Sequence, residues 1–164
     1  IDRIGGTIQV DSSPKIGTTI SIKIPLTFAI IDGMKVRVGK SIFFIPMTSI
    51  KGYFKVQKSA VIRGGTGNSE MIMFRGNCYP VLRLHEFFKV QPDAINIDQG
   101  IIIAVENESG VMCLFADELL GGQQVVVKAI PRYIKNTRGI SGCTVMGDGK
   151  VSLVIDIAGL FNNS

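Results

Sequence analysis

The chain has 164 residues, a net charge of +5, 46% hydrophobic residues and only 19% charged ones. That balance excludes a disordered chain and supplies a filled core for one ordinary domain or two very small ones. Mean hydropathy is high at +0.33. Even so, no apolar run approaches the ~18 residues of a spanning helix, and the stretch from Leu26 to Ile31 stops at Asp32 and Gly33.

The chain opens at Ile1 without a charged leader and apolar segment, so no export signal is read and the sequence looks like a piece of a longer protein. Thr7-Ile8-Gln9-Val10 predicts a short strand. Ile20, Ile22 and Ile24 alternate with Ser21 and Lys23 in a second, half-buried pattern, with Asp11 to Gly17 as the turn between them. Pro25 cannot donate to a ladder and marks a boundary, giving units 1–25 and 26–164. Beyond it Phe28–Val38 is extended, with a bulge expected at Asp32-Gly33, and Gly39-Lys40 turns the chain into Ser41–Ile45. Further strands are expected at Ile50–Val56, Ala60–Arg63, Glu70–Phe74 and Cys78–Arg83, with a loop over Arg63–Asn68 and a tight turn at Arg75-Gly76-Asn77. Leu84–Phe88 is a short helix and Gln91–Gln99 a loop. Ile101–Glu106 and Val111–Ala116 flank the turn Asn107-Glu108-Ser109-Gly110, and Val125–Ile130 follows Gly121-Gly122. Gly142–Met146 and Val151–Ile155 flank Gly147-Asp148-Gly149, whose Asp-Gly pair suits a hairpin. About ten short strands with glycine-rich turns and little helix predict an all-β chain, and two small barrels suit it better than one sandwich.

Candidate chemistry is thin. Cys78, Cys113 and Cys143 are widely spaced and form no CxxC pair, so they read as buried thiols rather than a disulfide frame or zinc site. His85 is the single histidine and is expected on the solvated side of its helix beside Glu86. Asp117 and Glu118 are adjacent, so on a strand they point to opposite faces and do not work as a carboxylate pair. Gly64-Gly65-Thr66-Gly67-Asn68 lacks the GxxxxGK[ST] spacing of a phosphate loop. The basic residues are dispersed, without the dense patch and interleaved aromatics of a nucleic-acid surface.

A resemblance adds to this reading. Ile4-Gly5-Gly6-Thr7-Ile8-Gln9-Val10, Gly17-Thr18-Thr19-Ile20 and the run from Ile24 through Asp32-Gly33-Met34 look like one seam of CheA-type chemotaxis histidine kinases. There the ATP-binding domain ends and a CheW-like regulatory domain begins. Arg75-Gly76-Asn77-Cys78-Tyr79-Pro80-Val81-Leu82-Arg83-Leu84, Ala116-Asp117-Glu118-Leu119-Leu120-Gly121, Gln123-Gln124-Val125-Val126-Val127-Lys128 and Gly139-Ile140-Ser141-Gly142 through Gly147-Asp148-Gly149 are similar to that regulatory domain. The resemblance covers essentially the whole chain. It departs at Lys15, where the family usually has glycine, and at Gly122 and Gln124, where it usually has Gln and Glu.

The resemblance implies two five-stranded, SH3-like barrels packed on a shared core (residues 26–164) and a remnant of a GHKL-type ATPase domain (residues 1–25). It implies no catalysis and no cofactor for this chain, with ATP and magnesium belonging to the full-length kinase; Gly17, Thr18 and Thr19 are what remains of the nucleotide motif. The implied partners are a CheW-type adaptor, chemoreceptor cytoplasmic tips, and the ATPase and dimerisation domains of the same kinase, with no nucleic acid and no membrane insertion. The implied location is the cytoplasm, at receptor arrays on the inner face of the membrane. A fragment retaining ATP binding and a free-standing CheW-like adaptor are the alternatives. Anchors for the adaptor are expected among Phe43, Phe44, Ile50 and Tyr53, with Met71, Met73 and Phe74 as alternates, because interface centres are apolar and aromatic. Asp117, Glu118 and Leu119 are candidates to face the receptor.

Overall fold

The computed structural model describes residues 7–23, 28–64, 69–130 and 138–162. The Pro25 boundary, Ile4-Gly5-Gly6 of the kinase-like seam and the Gly65–Asn68 part of the glycine loop lie outside the described residues. Strands β1 (Thr7–Ser13) and β2 (Gly17–Lys23) form a two-stranded antiparallel hairpin, with Ile8 opposite Ile22 and Val10 opposite Ile20. These four side chains share one face and are 50–63% exposed, while Gln9 and Ser21 lie opposite each other on the other face.

The remaining strands form two bodies. Strands β3 (Phe28–Val38), β4 (Ser41–Pro46), β11 (Glu118–Lys128), β12 (Ile140–Val145) and β13 (Val151–Ile155) close into a barrel in the order β11-β12-β13-β4-β3. Strands β5 (Ile50–Phe54), β6 (Val61–Arg63), β7 (Glu70–Phe74), β8 (Asn77–Arg83), β9 (Ile101–Asn107) and β10 (Gly110–Ala116) form a six-stranded sheet, β5-β9-β10-β8-β7-β6. Two helices complete the fold: α1 (Leu84–Phe87) after β8 and α2 (Ile157–Phe161) after β13.

The all-β class is as expected, but only one of the two bodies is a closed five-stranded barrel. The second is larger and open. Its edge strands β5 and β6 do not hydrogen-bond to each other, and β5 meets β7, the neighbour of β6, through side chains instead. Phe54 of β5 stacks on Phe74 of β7 with ring centroids 5.1 Å apart and planes within 3°. Gly52 admits that ring, since a Cβ there would sit 3.3 Å from Phe74 Cζ.

Alternation along the strands sorts the core into three parts. Phe44, Val125 and Val154 fill the barrel interior with Ile31, Ile42, Val127 and Met146. Residues one step out of phase, including Val36, Val38, Phe43 and Ile45, leave the barrel wall and meet Ile103, Val105, Met112 and Leu114 of the sheet. Ile102, Ala104, Cys113 and Phe115 point the other way, inside the curl, with Ile72, Ala94 and Ile97. Strand β9 is thus covered on both faces, which explains its unbroken apolar run from Ile101 to Val105. Burying each such side chain contributes roughly 1.5–3 kcal/mol.

Three expectations change. The strand expected to start at Val125 starts at Glu118, because the eleven-residue β3 offers a partner along its full length, from Arg37 opposite Glu118 to Phe28 opposite Lys128. The bulge lies on β11 between Leu119 and Gly121, not at Asp32-Gly33, which pair in continuous register with Gln124 and Gln123. Gly33 serves a close approach: a Cβ there would come within 2.9 Å of the Phe44 ring. Helix α2 has no counterpart in the sequence reading, although Ile157 and Leu160, at i and i+3, are both buried.

Gly39, in the turn between β3 and β4, has φ +57°, and a Cβ there would collide with the Gln91 carbonyl oxygen. Gly39→Ala is therefore expected to cost at least ~2 kcal/mol in urea unfolding. Gly147→Ala, where a Cβ meets open space, is expected to stay within about ±0.5 kcal/mol.

Candidate docking surfaces

Among the described residues no group of His, Cys, Asp or Glu is placed to hold a metal ion, and no helix is long and apolar enough to cross a membrane. Cys113 lies in the core, where burial pushes its thiol up to about 11, so it is a neutral thiol at ordinary pH. His85 is not solvated as expected. Its side chain is 13% exposed, because the single-turn α1 lies over β10 and sets the imidazole edge-on to Phe115. Gly17, Thr18 and Thr19 open β2, and the Thr18 hydroxyl is 3.0 Å from that of Ser12 across the hairpin. Lys15 takes φ +68° in the turn before them, a conformation glycine adopts without strain.

Two surfaces stand out. The first is the outer face of the curled sheet. Next to the stacked Phe54 and Phe74, Tyr53 and Met73 point the opposite way and are 54% and 58% exposed. The register places Ile62 opposite Met71, Met71 opposite Pro80 and Met73 opposite Cys78, so these side chains share a face. Methionine suits such a surface because its flexible thioether adapts to irregular partners.

The second is a groove of about 550 Å³ beside the barrel wall. Phe43, Phe88, Val90, Leu120, Val151 and Leu153 supply its apolar lining, and Lys35, Lys40 and Lys150 its cations, with Asp148 as the acidic member. Phe43 and Phe88 stack at 4.8 Å.

A polar cluster joins the barrel to the sheet beside this groove. The Asp117 carboxylate, at the step from β10 to β11, accepts hydrogen bonds from the backbone N–H groups of Gly39 (2.6 Å), Asp93 (2.8 Å) and Ala94 (3.2 Å). Arg37 donates to the Gly39 carbonyl (3.1 Å), to Asp93, and through Nε and Nη2 to Glu118 (3.1 and 3.0 Å). Its bonds to Asp93 and then Glu118 raise its pKa above the usual arginine value.

The expected anchors therefore separate. Phe44 lies inside the barrel, Phe43 between the two bodies, and Ile50 and Leu119 pack half-buried against that same layer. Phe74 is half-buried in its stack. Asp117 is only 9% exposed, with its carboxylate taken up by amides, and Glu118 is exposed beside Arg37. Half-buried Met71 and exposed Met73 share one face of β7, with Tyr53 exposed on β5 next to the Phe54–Phe74 stack; Ile62 and Pro80, which the sequence reading did not single out, extend the β7 face.

The sequence profile of the CheW-like domain matches residues 32–164. The chain belongs to that family. It is 32% identical over 160 residues to the chemotaxis protein CheA of Klebsiella aerogenes, covering 98% of this chain and 24% of that one. It is 34% identical over 167 residues to the sensor histidine kinase CheAY of Helicobacter pylori, covering 99% of this chain and 20% of that one. The chain thus spans no more than a quarter of the curated relatives named here. Among solved structures, the scaffolding protein TtCheW of Thermoanaerobacter tengcongensis superposes with a TM-score of 0.66 at 16% identity, over 79% of this chain and 90% of that one. That likeness concerns the fold.

In this CheW-like domain, β7 is tied down at its start by Glu70, which accepts hydrogen bonds from Arg83 Nε (2.7 Å) and Nη2 (3.1 Å). Arg83 also lies over the Phe115 ring at 5.0 Å and donates to the Ile95 carbonyl. The hydrogen bond from Arg83 is the main cause holding the Glu70 carboxyl below its ordinary value of 4.5. A carboxyl that binds its proton less readily when folded stabilises the fold fully above that ordinary value and loses the contribution as pH falls through the lowered one. The stability advantage of the parent chain over Glu70→Gln, from urea unfolding, is expected to be constant above pH ~5 and to shrink below it.

Proposed function

We propose that this domain is the docking part of a chemotaxis sensor kinase, coupling receptor state to kinase autophosphorylation without catalysing a reaction itself. The observation that carries the reading is the apolar surface of exposed Tyr53 and Met73 with half-buried Met71, on a chain that matches CheA sequences along nearly its whole length. Contiguous apolar surface of this kind marks an interaction site. A CheW-type adaptor covers this face. Chemoreceptor cytoplasmic tips occupy the groove beside the barrel, where an apolar floor with a lysine rim suits a helix whose flanks are acidic.

On this reading residues 1–25 close the ATP-binding domain of the same kinase, and residues 26–164 form the regulatory domain. The apolar face of the β1–β2 hairpin supports that division. Two strands alone are marginal in water, and Ile8, Val10, Ile20 and Ile22 would be covered by the body of an ATPase. ATP and magnesium would bind in that body, and phosphotransfer would depend on a histidine elsewhere in the kinase. The place of action is the cytoplasmic face of receptor arrays.

The test is a calorimetric titration of the chain with the CheW-type adaptor from the same genome. Met73 is exposed, so Met73→Asp is expected to fold normally and to weaken adaptor binding by about 30-fold, the loss typical of a central anchor. Full-strength binding by this variant would move the interface off β7, and no binding by the parent chain would overturn the docking reading.

A further inference from the structure

Arg37 touches none of the groove, yet it gathers the segments that build one wall of it. Its guanidinium binds Gly39, which precedes the groove residues Lys40 and Ser41. It binds Asp93, three residues beyond Val90, and Glu118, two residues before Leu120. Those three segments come from the β3–β4 turn, the connection from α1 to β9, and the start of β11. Among the described residues Asp117 joins the same three, through its carboxylate, which accepts the N–H groups of Gly39, Asp93 and Ala94, and through its place in the chain beside Glu118.

The two residues do different work. Asp117 is buried and satisfies three backbone donors, so its loss strands polar groups inside the protein. Arg37 is 30% exposed and its carboxylate partners 54–66%, and ion pairs this open add little to stability. What a planar fork with several donors in fixed directions adds is geometry. Its hydrogen bonds to a carbonyl and two carboxylates on separate segments limit how far those segments slide past one another.

We propose that Arg37 is a positioning residue for the groove. It holds Lys40, Val90 and Leu120 in the arrangement that a helical partner recognises, and the groove's affinity depends on it although the partner does not contact it. This rests on the groove docking described above, whereas the β7 face shares no hydrogen bond or ion pair with Arg37.

The experiment titrates the chain with two probes: a purified chemoreceptor cytoplasmic-tip hairpin for the groove and the CheW-type adaptor for the β7 face. Arg37→Gln is expected to weaken tip binding about tenfold, to leave adaptor binding and the urea midpoint unchanged, and to speed amide exchange at Gly39, Asp93 and Ala94. Arg37→Lys keeps the charge but loses the fork, and it is expected to fall close to Arg37→Gln. Leu120→Asp places a charge in the groove itself and is expected to abolish tip binding. Loss with Leu120→Asp but not with Arg37→Gln overturns the positioning role alone. Tip binding untouched by both variants overturns the groove docking and the positioning role with it. Equal losses of tip affinity, adaptor affinity and stability in Arg37→Gln make Arg37 a merely structural residue and overturn the proposal.

Discussion

The Asp117 carboxylate is the constraint on which the relation between the two bodies depends. It sits where the last strand of the open sheet becomes a strand of the barrel, and it accepts backbone N–H groups from residues 78 and 24 positions away. A buried carboxylate is tolerated when hydrogen-bond donors replace its water, and charge-assisted bonds of this kind are stronger than neutral ones. Its own N–H donates to the Arg37 carbonyl at 3.0 Å, which continues the ladder across the bend. The same demand explains Gly39: the turn must come close enough to reach the carboxylate, and a side chain there would strike the Gln91 carbonyl.

With that corner fixed, strand alternation distributes the surfaces. Barrel and sheet share an apolar layer, so each body covers one face of the other. The barrel encloses Phe44, Val125 and Val154, and the curl of the open sheet encloses the set around Phe115. Among the apolar areas left uncovered are the outer face of the curl near Tyr53 and Met73 and the groove beside the barrel wall. Neither brings a nucleophile, a base and an orienting group together, as catalysis by side chains demands. Both offer apolar area with polar edges, which is what association between proteins requires.

Strand limits were legible where a glycine turn adjoins the strand: β7 ends at Arg75-Gly76-Asn77 and β13 begins after Gly147-Asp148-Gly149, as the pattern puts them. The stretch from Glu118 to Gly122 was not legible as strand because its paired glycines resemble a turn, while the reason it is strand lies in a partner about eighty residues earlier in the chain. Consecutive aromatics hid their own fate in the same way. Phe43 and Phe44 must face opposite sides of a strand, but that both sides are covered follows only from the closure of the barrel and the docking of the sheet. The alternation Met71-Ile72-Met73 could be read for sidedness, and Ile72 is indeed the member that turns inward. That Asp117 and Glu118 diverge was legible too, but the amides that capture Asp117 are brought in by tertiary structure alone.

The open sheet bears on how a docking module tolerates its own edges. A sheet closed by hydrogen bonds has no free strand, whereas an open one leaves rows of unpaired backbone groups that invite further strands. Here the exposure is limited by length and by side chains. Edge strand β6 has three residues and β5 has five. Strand β5 is held to β7 by the Phe54–Phe74 stack and to its ladder neighbour β9 by the Lys51–Glu106 ion pair at 2.5 Å. Contact through side chains keeps β5 and β7 together and leaves their outward neighbours, Tyr53 and Met73, outside any ladder between these two strands. A barrel fully bonded at the same seam would hold that face more rigidly; the aromatic stack gives a seam that is apolar within and adaptable outside.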